Sequence, residues 1–95
     1  MTVNWTEAAL ADLQAIETYI ARHSAQYGRS MVERIFTQTG QLADFPRLGA
    51  EVPEYADESL RELLENPYRI VYRVYDDRVD VVAVVHRARR MPRGL

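Results

Sequence analysis

Alternation of apolar and polar residues between Tyr68 and Arg89 constrains the fold of this chain more than any other feature. Successive side chains of a β-strand point to opposite faces, so this alternation predicts two strands. The polar residues 76–78 separate the strands and indicate an antiparallel hairpin. One face of this hairpin is then entirely apolar or aromatic, with Tyr68, Ile70, Tyr72 and Val74 of the first strand beside Val79, Val81, Ala83 and Val85 of the second.

Two amphipathic stretches precede the hairpin. The first predicts a helix over 7–22, with Thr6 as its N-terminal cap. The second predicts a helix over 25–43, which the segment Phe45-Pro46-Arg47-Leu48-Gly49 ends because proline lacks the amide hydrogen that a helix needs. A short connection makes the pair an antiparallel helical hairpin. The apolar stripes consist of Ala9, Leu13, Ile16 and Ile20 in the first helix and of Tyr27, Met31, Ile35 and Leu42 in the second.

The remaining segments complete an α+β pattern. Residues 2–5 predict a short N-terminal strand, residues 50–58 an acidic loop anchored by Val52 and Tyr55, and residues 59–64 a further strand. The order β-α-α-β-β-β predicts a two-helix antiparallel hairpin packed on one face of a small antiparallel β-sheet, with the N-terminal strand at an edge. A chain of 95 residues is long enough for one core, so we expect a single domain over residues 1–95.

Composition narrows the functional classes. The chain has no cysteine and its histidines lack metal-ligand spacing, so we expect no metal site and no cofactor. A formal net charge of -2 argues against a domain whose main role is to hold nucleic acid. The N-terminus does not resemble a signal peptide, and no apolar run reaches the length of a membrane span. We therefore expect a cytoplasmic protein with no membrane partner.

Charge is distributed unevenly along the chain. Residues 51–68 carry six acids against one arginine, whereas residues 69–95 carry seven arginines against three acids. All 12 basic residues are arginine. The guanidinium group suits bidentate contacts with carboxylates and phosphates, although the base composition of a gene produces the same bias.

The hairpin face opposite the helices is the predicted functional surface. No other part of the chain is predicted to cover it, and its valines make it unusually apolar for an exposed surface, which indicates an occupant from elsewhere. The alternative is that the C-terminal tail folds over it. This face is predicted to carry Arg69, Val71, Arg73 and Tyr75 beside Asp80, Val82, Val84 and His86.

Several segments of the chain form a recognisable ordered set: the helical hairpin, the Phe45-Pro46-Arg47-Leu48-Gly49 link, the Leu60-Arg61-Glu62-Leu63 strand, the Tyr68-Arg69-Ile70-Val71-Tyr72-Arg73-Val74 strand and the His86-Arg87-Ala88-Arg89 ending. Together they resemble the RelE/ParE family of toxins from type II toxin-antitoxin systems. The resemblance covers essentially the whole chain. It implies a small toxin that is neutralised by a cognate antitoxin protein in a higher-order hetero-oligomer.

The family resemblance implies one of two activities. A RelE-like toxin would be a ribosome-dependent mRNA endoribonuclease, in which Arg69 and Arg73 hold phosphate and His86 acts as acid or base. A ParE-like toxin would be a non-enzymatic inhibitor that poisons DNA gyrase. The lack of lysine, the negative net charge and the ending from His86 to Pro92 favour the ParE-like branch.

Candidate binding residues follow from the same surface and from the basic ending. For Arg69 and Arg73, the structural alternative is pairing with Asp80 or with acids of the segment 51–65, while His86 merely ends a strand. The tail arginines contact nucleic acid or an acidic partner, or form a solvated basic end; they are Arg87, Arg89, Arg90 and Arg93. The residues predicted to bind the target or the antitoxin are Arg61, Arg69, Arg73, Tyr75, Val82, Val84, His86, Arg87 and Arg89.

Overall fold

Two helices pack on one face of a five-stranded sheet in the computed structural model, which describes residues 1–95. The α+β class and the order of the helices and long strands are confirmed. A two-residue strand inside the predicted acidic loop is the one element that the pattern missed, because it is too short to show alternation. The elements are β1 (Thr2–Trp5), α1 (Glu7–Ala21), α2 (Ala25–Gly40) with a 3-10 turn (Gln41–Ala43), β2 (Ala50–Glu51), β3 (Leu60–Glu65), β4 (Tyr68–Val74) and β5 (Arg78–His86).

Local signals in the sequence define both helices. The hydroxyl of Thr6 accepts a hydrogen bond from the amide of Ala9 at 3.1 Å, and the hydroxyl of Ser24 does the same for Tyr27 at 3.1 Å. These bonds satisfy amides that the first turn of a helix leaves without partners. Neither helix combines the length and the apolar character that crossing a membrane requires.

The sheet is mixed, whereas the sequence predicted an antiparallel one. Its strand order is β1-β5-β4-β3-β2, and β1 runs parallel to β5 while the other pairs are antiparallel. No turn joins β1 to β5, so no local signal in the sequence sets their relative direction. The predicted edge position of β1 is confirmed, and its Val3 and Trp5 lie opposite Val79 and Val81.

A β-bulge in β5 changes which side chains share a face. Tyr72 pairs with Val81 and Val71 pairs with Ala83, so Val82 has no partner on β4. An extra residue reverses the alternation of everything beyond it. Past the bulge, Ala83 and Val85 lie opposite Val71 and Arg69, and Val84 and His86 lie opposite Ile70 and Tyr68. The predicted faces of these four β5 residues are therefore wrong, while those of Val79 and Val81 are confirmed.

Helix α1 is hydrogen-bonded to the bulged strand. The Asp12 carboxylate accepts a hydrogen bond from the amide of Val84 at 3.0 Å. A bulge disrupts the regular hydrogen-bond ladder, and here a side chain from the helix supplies an acceptor. This bond ties the position of α1 to the position of the bulge.

The two faces of the sheet carry separate apolar clusters. The helices cover a core of twelve buried residues: Ala9, Leu13, Met31, Ile35, Leu42, Leu63, Tyr68, Ile70, Tyr72, Val79, Val81 and Val84. The opposite face holds a smaller cluster of six: Val52, Leu60, Val71, Ala83, Val85 and Met91, with Tyr55, Val82 and Leu95 packed against it. The loop after β2 and the C-terminal tail thus cover the face that was predicted to be bare. The alternative prediction, that the tail folds over it, is confirmed.

Gly49 makes the closest approach between the link after α2 and the sheet. Its amide donates to the Tyr72 hydroxyl at 2.9 Å, and its carbonyl accepts from Nε of Arg61 at 2.8 Å. A Cβ atom at this position would collide with the main-chain oxygen of Glu62. Only glycine fits there without displacing the strand.

Candidate binding surface

The sheet face opposite the helices, called here the arginine face, is built around Arg69 and Arg73 of β4. Nη1 and Nη2 of Arg69 each donate to a different carboxylate oxygen of Glu54 at 2.7 Å. Nε of Arg69 donates to Glu62 at 2.5 Å. The side chains of Arg69 and Glu62 are only 11% and 12% exposed, so this pair is strongly shielded from water. Every nitrogen of the Arg69 guanidinium is committed to a carboxylate.

These contacts shift protonation in the direction expected for ion pairs. Hydrogen bonds from Arg69 lower the pKa of Glu54. In turn, the carboxylates of Glu54 and Glu62 raise the pKa of Arg69. Both shifts favour the charged forms. The pair of Glu54 and Arg69 therefore stays ionised across the physiological range.

Arg73 is also held by protein partners, through Nη1 and Nη2. Its Nη1 donates to Asp57 at 2.7 Å and to the Ser59 hydroxyl at 2.8 Å, while Nη2 donates to the main-chain oxygen of Leu95 at 2.7 Å. Hydrogen bonding to Arg73, with a further bond from the Ser59 hydroxyl, lowers the pKa of Asp57 to about 2. The predicted alternative, that these arginines pair with acids of the segment 51–65, matches this geometry.

Tyr55 holds the C-terminal tail against the arginine face. Its hydroxyl donates to the carbonyl of Pro92 at 2.5 Å and accepts from the amide of Leu95 at 3.1 Å. Between the turn after β5 and these bonds, Met91 is buried in the smaller apolar cluster. The tail is therefore fixed by packing and by hydrogen bonds.

His86 lies on the helix-side face of the sheet, away from Arg69 and Arg73. Its ring meets that of Tyr68 edge to face, with 5.5 Å between centroids, and its Nδ1 accepts from the amide of Ala88 at 3.0 Å. Burial raises the pKa of the Tyr68 hydroxyl. The structure brings Arg69 and Arg73 onto one face but does not bring His86 to them.

The other predicted binding residues divide between structural and exposed positions. Arg61 donates to the carbonyls of Gly49 and Glu58, at 2.8 and 3.1 Å. Val84 is buried in the core under the helices, which makes it inaccessible to a partner. Val82 is partly buried against the smaller cluster. Tyr75 is partly exposed, and the Arg78 guanidinium lies 4.1 Å from its ring centroid.

The arginines after β5 form a separate, exposed group. Arg87 donates to the Asn66 side chain at 3.1 Å, and none of the arginines after β5 forms a salt bridge. The group consists of Arg87, Arg89, Arg90 and Arg93. It is the part of the basic segment 69–95 whose charge remains free.

Sequence reasoning missed the individual roles of Glu54, Asp57 and Asp12. The excess of acids in residues 51–68 was a signal for the first two, because it faces an arginine-rich strand. No comparable signal marked Asp12, since its partner is a main-chain amide exposed by the bulge. No group of three or more His, Asp or Glu side chains is placed to hold a metal ion.

The helical hairpin packed on the mixed sheet is also found in chains from toxin-antitoxin systems. A chain of the chromosomal ParDE toxin-antitoxin system from Pseudomonas aeruginosa superposes with a TM-score of 0.74 at 27% identity, covering 90% of this chain and 95% of that one. A chain of the RelBE2 toxin-antitoxin complex from Mycobacterium tuberculosis gives a TM-score of 0.59 at 25% identity, covering 93% and 92%.

Sequence comparison identifies the family. The family model described as ParE toxin of type II toxin-antitoxin system, parDE, matches residues 3–91, and the chain belongs to this family. It is also 41% identical over 88 residues to Toxin RelE2 of Caulobacter vibrioides, covering 92% of this chain and 96% of that protein. The predicted membership of the RelE/ParE superfamily is confirmed.

Proposed function

We propose that this type II toxin inhibits growth by poisoning DNA gyrase through its surface, without a catalytic step of its own. The observation that carries the proposal is the state of its predicted catalytic residues. Protein partners bind every guanidinium nitrogen of Arg69 and both Nη atoms of Arg73, and His86 lies on the other side of the sheet. Cleavage of RNA needs an acid, a base and free cations around one phosphate. The arginine face, where Arg69 and Arg73 lie, supplies no such group.

The proposal includes a cognate antitoxin that neutralises the toxin in a higher-order hetero-oligomer. Support comes from the similar chains of P. aeruginosa and M. tuberculosis, which belong to a toxin-antitoxin system and a toxin-antitoxin complex. The helices offer a surface for an amphipathic segment of such a partner, because several of their large apolar side chains are exposed. These are Leu10, Tyr19, Tyr27 and Phe36.

A ribosome-dependent mRNA endoribonuclease is the second candidate. The observation in its favour is the 41% identity to a protein named Toxin RelE2. In that case the residues proposed for catalysis are Arg69, Arg73 and His86. Arg69 and Arg73 would first have to exchange their carboxylate partners for substrate phosphate.

One pair of reactions separates the two candidates. The purified toxin is added to gyrase with relaxed plasmid and, separately, to ribosomes programmed with message. We expect loss of supercoiling with accumulation of cleaved DNA, and intact message. Cleaved message with unaffected gyrase would overturn the proposal.

A histidine variant sharpens the second reaction. His86→Gln removes a titratable group while leaving every contact of Arg69 and Arg73 in place. Under the gyrase proposal neither the parent chain nor this variant cleaves the message. If a ribosome-dependent cleavage exists and His86→Gln abolishes it without changing the melting temperature, the endoribonuclease assignment replaces the proposal.

A further inference from the structure

The turn that follows β5 concentrates the positive charge that this chain leaves unneutralised. Arg69 and Arg73 are bound by carboxylates, and Arg34 and Arg78 also form salt bridges. In contrast, the exposed arginines after β5 have no carboxylate partner. Three of them, at positions 87, 89 and 90, stand within four consecutive residues. The net charge of -2 therefore conceals a local basic patch.

This turn, residues 86–90, is held in a defined conformation. The amide of Arg87 donates to the carbonyl of Pro67, and the amide of Arg89 donates to the carbonyl of His86, both at 2.9 Å. The Arg87 guanidinium bonds to Asn66, and Met91 anchors the chain on the far side by burial. A fixed backbone lowers the entropy lost when a ligand orders the arginine side chains.

Donors and aromatic rings surround the same turn. Nδ1 of His86 accepts the amide of Ala88, so in the neutral ring Nε2 carries the hydrogen, and Nε2 has no protein acceptor. The ring of Tyr68 packs on His86. Guanidinium and imidazole donors together match the oxygens of phosphates.

We propose that the turn 86–90 is a binding site for the phosphodiester backbone of nucleic acid, with Arg89 and Arg90 as its principal contacts. Under the gyrase proposal the backbone is that of duplex DNA held by the enzyme, and the site itself requires no gyrase. Contacts to phosphate are independent of sequence and weaken with salt. An acidic protein segment is the competing ligand.

The test measures binding of the full-length chain to labelled duplex DNA, and separately to single-stranded RNA, by fluorescence anisotropy over a series of salt concentrations. The test variant is Arg89→Gln with Arg90→Gln. The control is Arg29→Gln with Arg47→Gln, which removes the same charge from two exposed arginines that form no salt bridge. Thermal melting checks that both variants fold.

For the test variant we expect about tenfold weaker binding to duplex DNA and a salt slope reduced by about two, since each phosphate contact contributes about one to that slope. The control should bind within about twofold of the parent chain. Equal losses in both variants would overturn the proposal, because only overall charge would then matter. So would undetectable binding to both nucleic acids.

Two further outcomes define the ligand. Binding to RNA alone would keep the phosphodiester site but assign it to the endoribonuclease alternative. Nucleic-acid binding that is unchanged in the test variant would overturn the proposal in favour of an acidic protein segment. The binding assay contains no gyrase, so a negative result in it would not contradict the gyrase proposal. Likewise, a negative result in the gyrase reactions would not contradict the phosphodiester site.

Discussion

The two faces of the sheet are stabilised in different ways. On the helix-side face, the two helices cover a core of twelve buried residues. The arginine face buries six and adds ion pairs from the loop after β2 and a contact to the C-terminal tail. Apolar burial is non-directional and can be read from periodicity, whereas ion pairs depend on which segments fold over the strand. The comparison teaches that alternation predicts where a core lies better than it predicts which face stays open.

Truncation of one buried side chain on each face is the largest expected effect. Ile35→Ala on the helix side should lower the free energy of unfolding by about 4 kcal/mol, because packed helices cannot collapse into the cavity. Met91→Ala should cost about 2 kcal/mol, because a terminal segment can move to fill the space. Denaturation in urea measures both. Equal costs would contradict the distinction between a rigid and an adaptable face.

Removing the central cation of the arginine face comes next. Arg69→Met leaves the Glu62 carboxylate, only 12% exposed, without its partner and should cost about 3 kcal/mol. Arg47→Met removes an exposed arginine without a salt bridge and should change stability by less than about 0.5 kcal/mol. A cost for Arg69→Met as small as that control would mean that packing alone holds this face.

Acid should weaken the arginine face selectively, and this is the smallest expected effect. The folded pKa of Asp57, about 2, lies below its ordinary value of 3.8. The stabilisation that ionised Asp57 gives the folded state is therefore fully present at a pH above 3.8, and it is lost as the pH falls through about 2. Glu54, whose pKa is also lowered, contributes in the same direction.

The measurement compares the parent chain with Asp57→Asn in urea as pH falls from the ordinary pKa of Asp57 to its folded value. The stability difference between the two should shrink over this range, since protonated aspartate and asparagine are both neutral. A difference that stays constant would rule out the ion pair as its source. Met91→Ala supplies a reference with no titrating group, and its offset from the parent chain should not change with pH.

Much of the fold could be predicted because its signals are local. The helix cap at Thr6, the break at Pro46 and the two-residue period of β4 each act within a few residues. The direction of β1 could not be predicted, because it depends on a strand more than seventy residues away in the chain.

The candidate site was less predictable for a specific reason. Residues 81–85 are Val81, Val82, Ala83, Val84 and Val85, so both faces of β5 are apolar there and a regular ladder looks as good as a bulged one. The arginines were correctly placed on one face. Apart from Glu62 of β3, their carboxylate partners Glu54 and Asp57 come from a loop whose path has no periodic signal. Whether Arg69 is free or saturated therefore required the structure.

The unpaired Val82 reverses the alternation of β5, so that odd- and even-numbered residues exchange faces of the sheet beyond it. A chain with one residue fewer at this point could present the same side chains to the same two faces through an uninterrupted ladder. A chain of the same length with a regular ladder would turn an imidazole at position 86 toward Arg69. When relatives are compared, residues of this strand therefore have to be matched separately before and after the bulge. Beyond a bulge, odd- and even-numbered positions exchange faces of the sheet.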